Sequence, residues 1–368
     1  YSSTTQTEEA DLIRNFMFMH VATAKQEEFD REQWEPLEKR FEVIHVKKDG
    51  TEEKKLDGKA ISAFHRDFLM KGGKYIGPAA TFDTFVGRYE VPGFDPELLT
   101  LEMEEAVAFY DTIRRLKKHL SPTIDSALQQ FSDLYTSTAF PLVLNLLERH
   151  SKTTLSESEL VECLRLLSGF VFRRYVCGET SRTYGRWFVS ACGELKSDPV
   201  PNLRAFLVSK HFPDDVTFKA RFQTFDLYNS GYPKAVLRWL ELTHPDHPTK
   251  EPVDLSFKHI QVEHVMPQTL SSWWLAHLGS DAASIHRKWL HTPGNLTLTG
   301  YNQEFSNRPF PEKCHGWTTA TGSVGVGYDK SNIAITKEIA KDKEWKESQI
   351  QARAARLADL AVTIWPDA

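Results

Sequence analysis

Apolar residues recur at helical spacing along most of the first two thirds of the chain. Ile13, Phe16, Met17 and His20 fall on one face of a helical region over 8–40. Lys47-Lys48-Asp49-Gly50 predicts a turn, and Phe64 and Phe68 stand at i, i+4 in a helix over 60–70. Met103, Val107, Tyr110 and Ile113 line one side of 100–120, and Arg114 to Lys118 place cations where a helix C-terminus favours them. Ser156 and Glu159 form a capping box ahead of Leu160, Leu164, Leu167 and Val171. Residues 215–243 predict two more helices, broken at Gly231-Tyr232-Pro233, and the proline-rich stretch 244–252 reads as a linker. No internal repeat is visible. The pattern predicts a mainly α chain: a helical region over 1–250 and a different module over 251–368.

In that module the periodicity shortens. Residues 258–265 alternate loosely, with Ile260 and Val262 on the face of His264, and Pro267 ends the strand because it has no ladder donor. Leu296 to Thr299 alternates as a second strand, entered through Gly294, which permits a close backbone approach. Between the two, Trp273, Trp274, Leu278, Ile285, Trp289 and Leu290 predict one or two short helices with the tryptophans in the core. Pro309 disfavours helical geometry at Arg308, so the next helix is a short one over 302–308. Gly322 to Gly327 lacks the Lys-Ser/Thr of a phosphate loop and predicts a mobile loop near the site.

The order strand-His264, Asn295-strand, Asn302-helix is the layout of a ββα-metal (His-Me finger) nuclease, which hydrolyses a phosphodiester. His264, an imidazole at a strand end, is the candidate general base. Asn295 is placed to bridge backbone groups and orient the His264 loop. Asn302, in the first helical turn, offers an amide oxygen to a hard divalent cation, where a helix N-terminus also favours phosphate. Glu263 is a second candidate metal ligand, although strand alternation points it away from His264. Asn307 reads equally as a metal neighbour or as a helix cap. Arg308 and Lys313 read as phosphate contacts or as solvated charge. Oxygen ligands of this kind favour Mg²⁺ or Mn²⁺ over zinc.

Composition bounds these readings. A chain of 368 residues holds two or three domains. The net charge of −5 does not advertise a nucleic-acid binder. Over 256–315, five Lys or Arg face four acids, so the expected electrostatic affinity for DNA is modest and strongly salt-dependent. Cys163, Cys177, Cys192 and Cys314 form no CxxC pair, which argues against a zinc clamp and suits a reducing cytoplasm. No apolar run of about 18 residues is present, so no membrane helix is expected.

The motifs Glu263-His264-Val265-Met266-Pro267-Gln268, Gly294-Asn295-Leu296-Thr297-Leu298, Asn302 and Asn307-x-x-Phe310-x-x-Lys313 resemble the HNH module at the C-terminus of GmrSD-type modification-dependent restriction enzymes, a group that includes the phosphorothioate-sensing SspE proteins. Trp345 to Trp365, with Ile350, Arg353, Leu357 and Ile364, resembles the module's closing helix. Asp11-Leu12-Ile13-Arg14-Asn15 resembles the stretch that follows a ParB-like sensor domain in those proteins. The resemblance implies a metal-dependent DNA nickase, the effector of an anti-phage defence protein. It also implies double-stranded DNA as substrate and an N-terminal sensor domain as partner, absent from this chain. A double-strand cut would call for a homodimer or two events. Two other readings stay open: an inactive DNA-binding or scaffold module, and an RNase-type toxin.

Overall fold

A computed structural model describes residues 9–47, 49–114, 120–249, 253–300, 305–319, 322 and 324–368. The chain is mainly helical, with few and short strands. It divides into two compact units, Tyr1–Leu164 with Ser181–Phe206, and Arg165–Thr180 with Leu207–Ala368. The second unit thus includes 207–250 and a segment of a long helix in addition to 251–368.

In the first unit, α1 (Glu9–Met19) buries Ala10, Ile13, Phe16 and Met17. The turn at 47–50 joins two strands, β1 (Glu42–Val46) and β2 (Glu52–Leu56), paired antiparallel. Gly50 sits at φ +82, and the Asp49 carboxylate accepts from the Thr51 N–H at 3.0 Å. Pattern alone did not predict these strands, because Val43, Ile44 and Val46 are all exposed and the alternation is absent. The Asp57 carboxylate caps α2 (Gly58–Met70), which buries Ile61, Phe64 and Phe68. Asp95 caps α3 (Pro96–Ile113), with Pro96 at its first position, where the missing N–H costs nothing. The basic stretch 115–118 expected to end this helix lies outside the described residues. α4 (Phe140–Ser151) is followed by α5 (Glu157–Val176), whose capping box is formed: the Ser156 N–H reaches Glu159 at 2.8 Å and the Glu159 N–H reaches the Ser156 hydroxyl at 3.3 Å.

Two side chains two residues apart in α2 titrate against each other. His65 is fully buried and neither ring nitrogen has a hydrogen-bond partner among the described residues, so burial lowers its pKa to about 3. Burial raises Asp67 to about 7, against the pull of the Tyr110 hydroxyl that donates to it at 3.2 Å. The stability held by neutral His65 is lost as pH falls from its unfolded value of ~6.5 towards 3. That held by protonated Asp67 is lost as pH rises from ~4 through 7. Between about pH 4 and 6.5 the two slopes, each about 1.4 kcal/mol per pH unit, oppose one another. Asp67→Asn removes one slope. Its urea midpoint should therefore drop, relative to the unmutated chain, as pH is lowered across that window. A difference that stays constant with pH would refute the opposed titration.

The second unit is built around one hairpin. α6 (Asp215–Gln223) and α7 (Pro233–Thr243) precede it, joined by a loop. β3 (Gln261–His264) pairs antiparallel with β4 (Leu296–Thr299), His264 opposite Leu296. Two short helices fill the gap between them, where one or two were expected: α8 (Ser272–Leu278) and α9 (Ala282–Trp289), with Trp274 and Trp289 buried. Beyond the hairpin, helix α10 runs over Phe310–His315, with Pro309 as its cap. Of the expected helix over 302–308, residues 302–304 lie outside the described residues; 306–308 are not helical, and Ser306 has φ +43, so no helix runs through it. The glycine-rich stretch, expected as a loop, is partly strand: β5 (Trp317–Thr318) pairs with β6 (Val324–Gly325). A Cβ on Gly325 would lie 2.1 Å from the Trp317 ring, so glycine is required there for packing. The closing helix α11 (Glu347–Ile364) is as the resemblance implies in extent.

Candidate active site

Asn295 organises the start of the site. It is fully buried, and its side chain makes four hydrogen bonds. The amide oxygen accepts from the Met266 N–H at 2.8 Å and the Trp345 indole at 3.1 Å. The amide nitrogen donates to the carbonyls of Met266 at 2.9 Å and Leu290 at 3.0 Å. The loop leaving β3 is thereby tied to the loop entering β4. Arg353, on α11 and buried, holds the same entry from the other side. Its guanidinium donates to the carbonyls of Pro293, Gly294 and Leu296 at 3.1, 3.1 and 2.7 Å, and to that of Ile335 at 2.9 Å, while Glu338 supplies the countercharge at 3.1 Å. Gly294 lets α11 come this near, since a Cβ there would lie 2.4 Å from the Ile350 carbonyl oxygen.

His264 stands at the end of β3, 5% exposed. Its Nε2 lies 3.2 Å from Nδ1 of His291, and its Nδ1 lies 3.4 Å from the amide nitrogen of Gln268, an exposed residue. The Tyr228 ring packs on His264 at 4.4 Å and stacks on His291 at 5.2 Å. Burial, with the positive charge of His291, Lys313 and His286 around it, lowers His264 to about 3. The ring is therefore neutral at physiological pH, with a lone pair for a proton. A phosphate bound beside it would raise that value, because an anion favours the imidazolium.

Glu263 points to the opposite face, as the alternation requires. It is 3% exposed, and its Oε1 accepts from Lys313 Nζ at 2.7 Å and the Tyr328 hydroxyl at 3.0 Å. Lys313, on α10, also donates to the His264 carbonyl at 2.8 Å. Desolvation pushes the Glu263 carboxyl up and the Lys313 ammonium down, against their mutual attraction. The phosphate contact read for Lys313 in the sequence is thus not what the fold gives it: the ammonium has no exposed surface and is spent on Glu263 and the strand end. Glu263 as metal ligand meets the same objection, since its carboxylate already carries an ammonium.

Asn302 lies outside the described residues. Asn307 is exposed in the turn before α10. Arg308 is partly exposed, pairs with Glu312 at 3.3 Å and lies over the Trp317 ring at 4.2 Å. Among the described residues no group of three or more His, Cys, Asp or Glu side chains comes together in a way that could hold a metal ion. The described residues thus do not by themselves compose a cation site. Sequence reasoning missed His291, Tyr228 and Tyr328. His291 is one histidine among six in 256–315, and Tyr228 comes from the loop between α6 and α7, within the stretch read as scaffold. The fold carries that loop to the hairpin through bonds from the Leu227 and Tyr228 N–H groups to the His291 carbonyl, at 2.9 and 3.2 Å.

A neutral imidazole on a braced strand end belongs with hydrolytic chemistry, and the comparison with known families gives the class: residues 212–360 match the model described as "GmrSD restriction endonucleases, C-terminal domain", so the second unit is of the nuclease class. More particularly, that segment is similar to the C-terminal part of a GmrSD-type restriction enzyme. The match includes the Tyr228 loop. No curated protein matches the chain.

Proposed function

We propose that the second unit is a metal-dependent HNH (ββα-metal) DNA endonuclease that nicks one strand at a time. The observation that carries this reading is His264, kept neutral and braced at the strand end. It takes the proton of the attacking water. Arg308 is the proposed phosphate contact. A divalent cation, Mg²⁺ or Mn²⁺, would stabilise charge on the phosphate and leaving oxygen. Asn302 and Asn307 are its proposed ligands; Glu263 would join them only by leaving Lys313. Supercoiled plasmid should be relaxed in Mg²⁺ or Mn²⁺, remain intact in EDTA, and be cut again when the ion is restored. Full cleavage in EDTA would refute the metal requirement.

The domain division proposed is a helical region leading to a nuclease, with the nuclease as effector of a modification-dependent defence protein in the cytoplasm. Its four cysteines are free thiols, in keeping with a reducing compartment. Among the described residues no helix is long and apolar enough to cross a membrane. The sensing function is assigned to a sensor domain partner, so this chain alone should nick modified and unmodified plasmid of one sequence equally. A clear preference for either substrate would place sensing within residues 1–250. Two copies acting together would convert nicks to double-strand cuts.

A further inference from the structure

His291 is the polar group that faces Nε2 of His264, and the rest of the unit holds it there. Its carbonyl accepts from the Leu227 and Tyr228 N–H groups, and its ring lies against Tyr228 with an interplanar angle of 12°. The Tyr228 hydroxyl accepts from the Gln268 amide at 3.3 Å, and that amide is also turned to Nδ1 of His264. Four side chains, His264, His291, Tyr228 and Gln268, therefore form one closed arrangement. Two imidazole nitrogens 3.2 Å apart hold a single proton between them. If His291 donates it, the Nδ1 of neutral His264 carries the other proton and the ring has no lone pair left for water. If His264 donates it, Nδ1 keeps its lone pair on the side of exposed Gln268, whose amide nitrogen, 3.4 Å away, holds that lone pair until a water takes its place. The amide nitrogen of Gln268 beside Nδ1 fits this second arrangement, because an N–H needs an acceptor there.

We propose that His291 is a positioning residue: its Nδ1 accepts the Nε2–H of His264, fixing the tautomer whose Nδ1 lone pair faces the attacking water, and Tyr228 clamps His291 in that position. The role in catalysis rests on the nuclease reading above. In the step, a water O–H bond breaks and its proton passes to Nδ1 of His264. The oxygen forms a bond to phosphorus, and the bond from phosphorus to the leaving oxygen breaks. That oxygen takes a proton from solvent water, and the imidazolium later returns its own to solvent. The Nε2–H stays donated to His291 throughout, so the charge on His264 develops against an acceptor already in place.

Two measurements test this on the chain as it stands. The first is ¹⁵N NMR of the histidine rings at neutral pH. It should show His264 protonated at Nε2 in the unmutated chain and in His291→Gln, whose side-chain oxygen can accept the same bond, and a mixture of tautomers in His291→Ala. The second is plasmid nicking with Mg²⁺. His291→Ala should lower kcat by roughly 10-fold or more, with up to ~10⁴-fold as the bound set by a general-base histidine held in the wrong tautomer, and with KM for DNA unchanged. His291→Gln should recover most of that rate. An Nδ1–H tautomer in the unmutated chain, an unchanged kcat in His291→Ala, or a His291→Gln as slow as the alanine variant would each overturn the proposal. If the unmutated chain cuts no DNA with any divalent ion, the nuclease reading falls instead, and the tautomer measurement still decides whether His291 holds His264.

Discussion

His264→Ala should slow the nicking of supercoiled plasmid by roughly 10²–10⁴-fold, the contribution of a positioned general base. The fold should survive the change, because the strand end is held by the Lys313 bond to the His264 carbonyl and by Asn295, neither of which needs the imidazole. A circular dichroism spectrum and urea midpoint like those of the unmutated chain would separate lost chemistry from lost structure. The pH dependence adds a second signature. The acid limb of kcat/KM reports the free enzyme, where His264 titrates at about 3, so it should lie well below the ~6.5 of an ordinary histidine. The limb of kcat reports the complex and should lie higher, because the bound phosphate favours the imidazolium. Undiminished cleavage by the alanine variant would remove His264 from the mechanism.

Lys313→Ala should cost about 3–5 kcal/mol of stability, the penalty for leaving a buried partner charge uncompensated. The loss strands the Glu263 carboxylate in the core and leaves the His264 carbonyl without its donor. Glu263→Gln in the same chain should restore part of this, since the amide removes the buried charge and still accepts from Tyr328. The two variants are compared by urea unfolding. A phosphate contact would behave otherwise: Lys313→Ala would leave the midpoint in place, weaken DNA binding at every sequence, and lower its salt dependence by about one counterion. That pattern would return Lys313 to the DNA and free Glu263 for a cation.

The legibility of the chain followed the range of its interactions. Helices with apolar residues at i, i+3 and i+4 and a local cap, such as α2 behind Asp57 and α5 behind Ser156 and Glu159, were readable because the sequence neighbours are the contacts. The β3–β4 hairpin was readable from its breakers, Pro267 and Gly294. Asn295 was legible as a residue able to tie backbone groups together, although its partners at 266, 290 and 345 were not. The β1–β2 hairpin was not, since an exposed pair of strands needs no apolar alternation. The glycines at 325 and 327 looked like slack chain and are there because rings and carbonyls leave no room for a Cβ.

By itself the sequence determined the helical character of the chain, the strand that offers His264, the turn that carries Asn295, and the class of chemistry such an order serves. Tertiary structure decided which charges are available to that chemistry. Glu263 and Lys313 are both charged and both near the motif, and nothing local says whether they meet DNA, a metal or each other. Burial pairs them with each other, because a charge removed from water must find its countercharge within a few ångströms. In the same way only the fold could bring Tyr228 and His291 to His264. Their contact depends on a loop from before the hairpin being bonded to its far strand's approach, and a periodic pattern carries no record of partners so far apart.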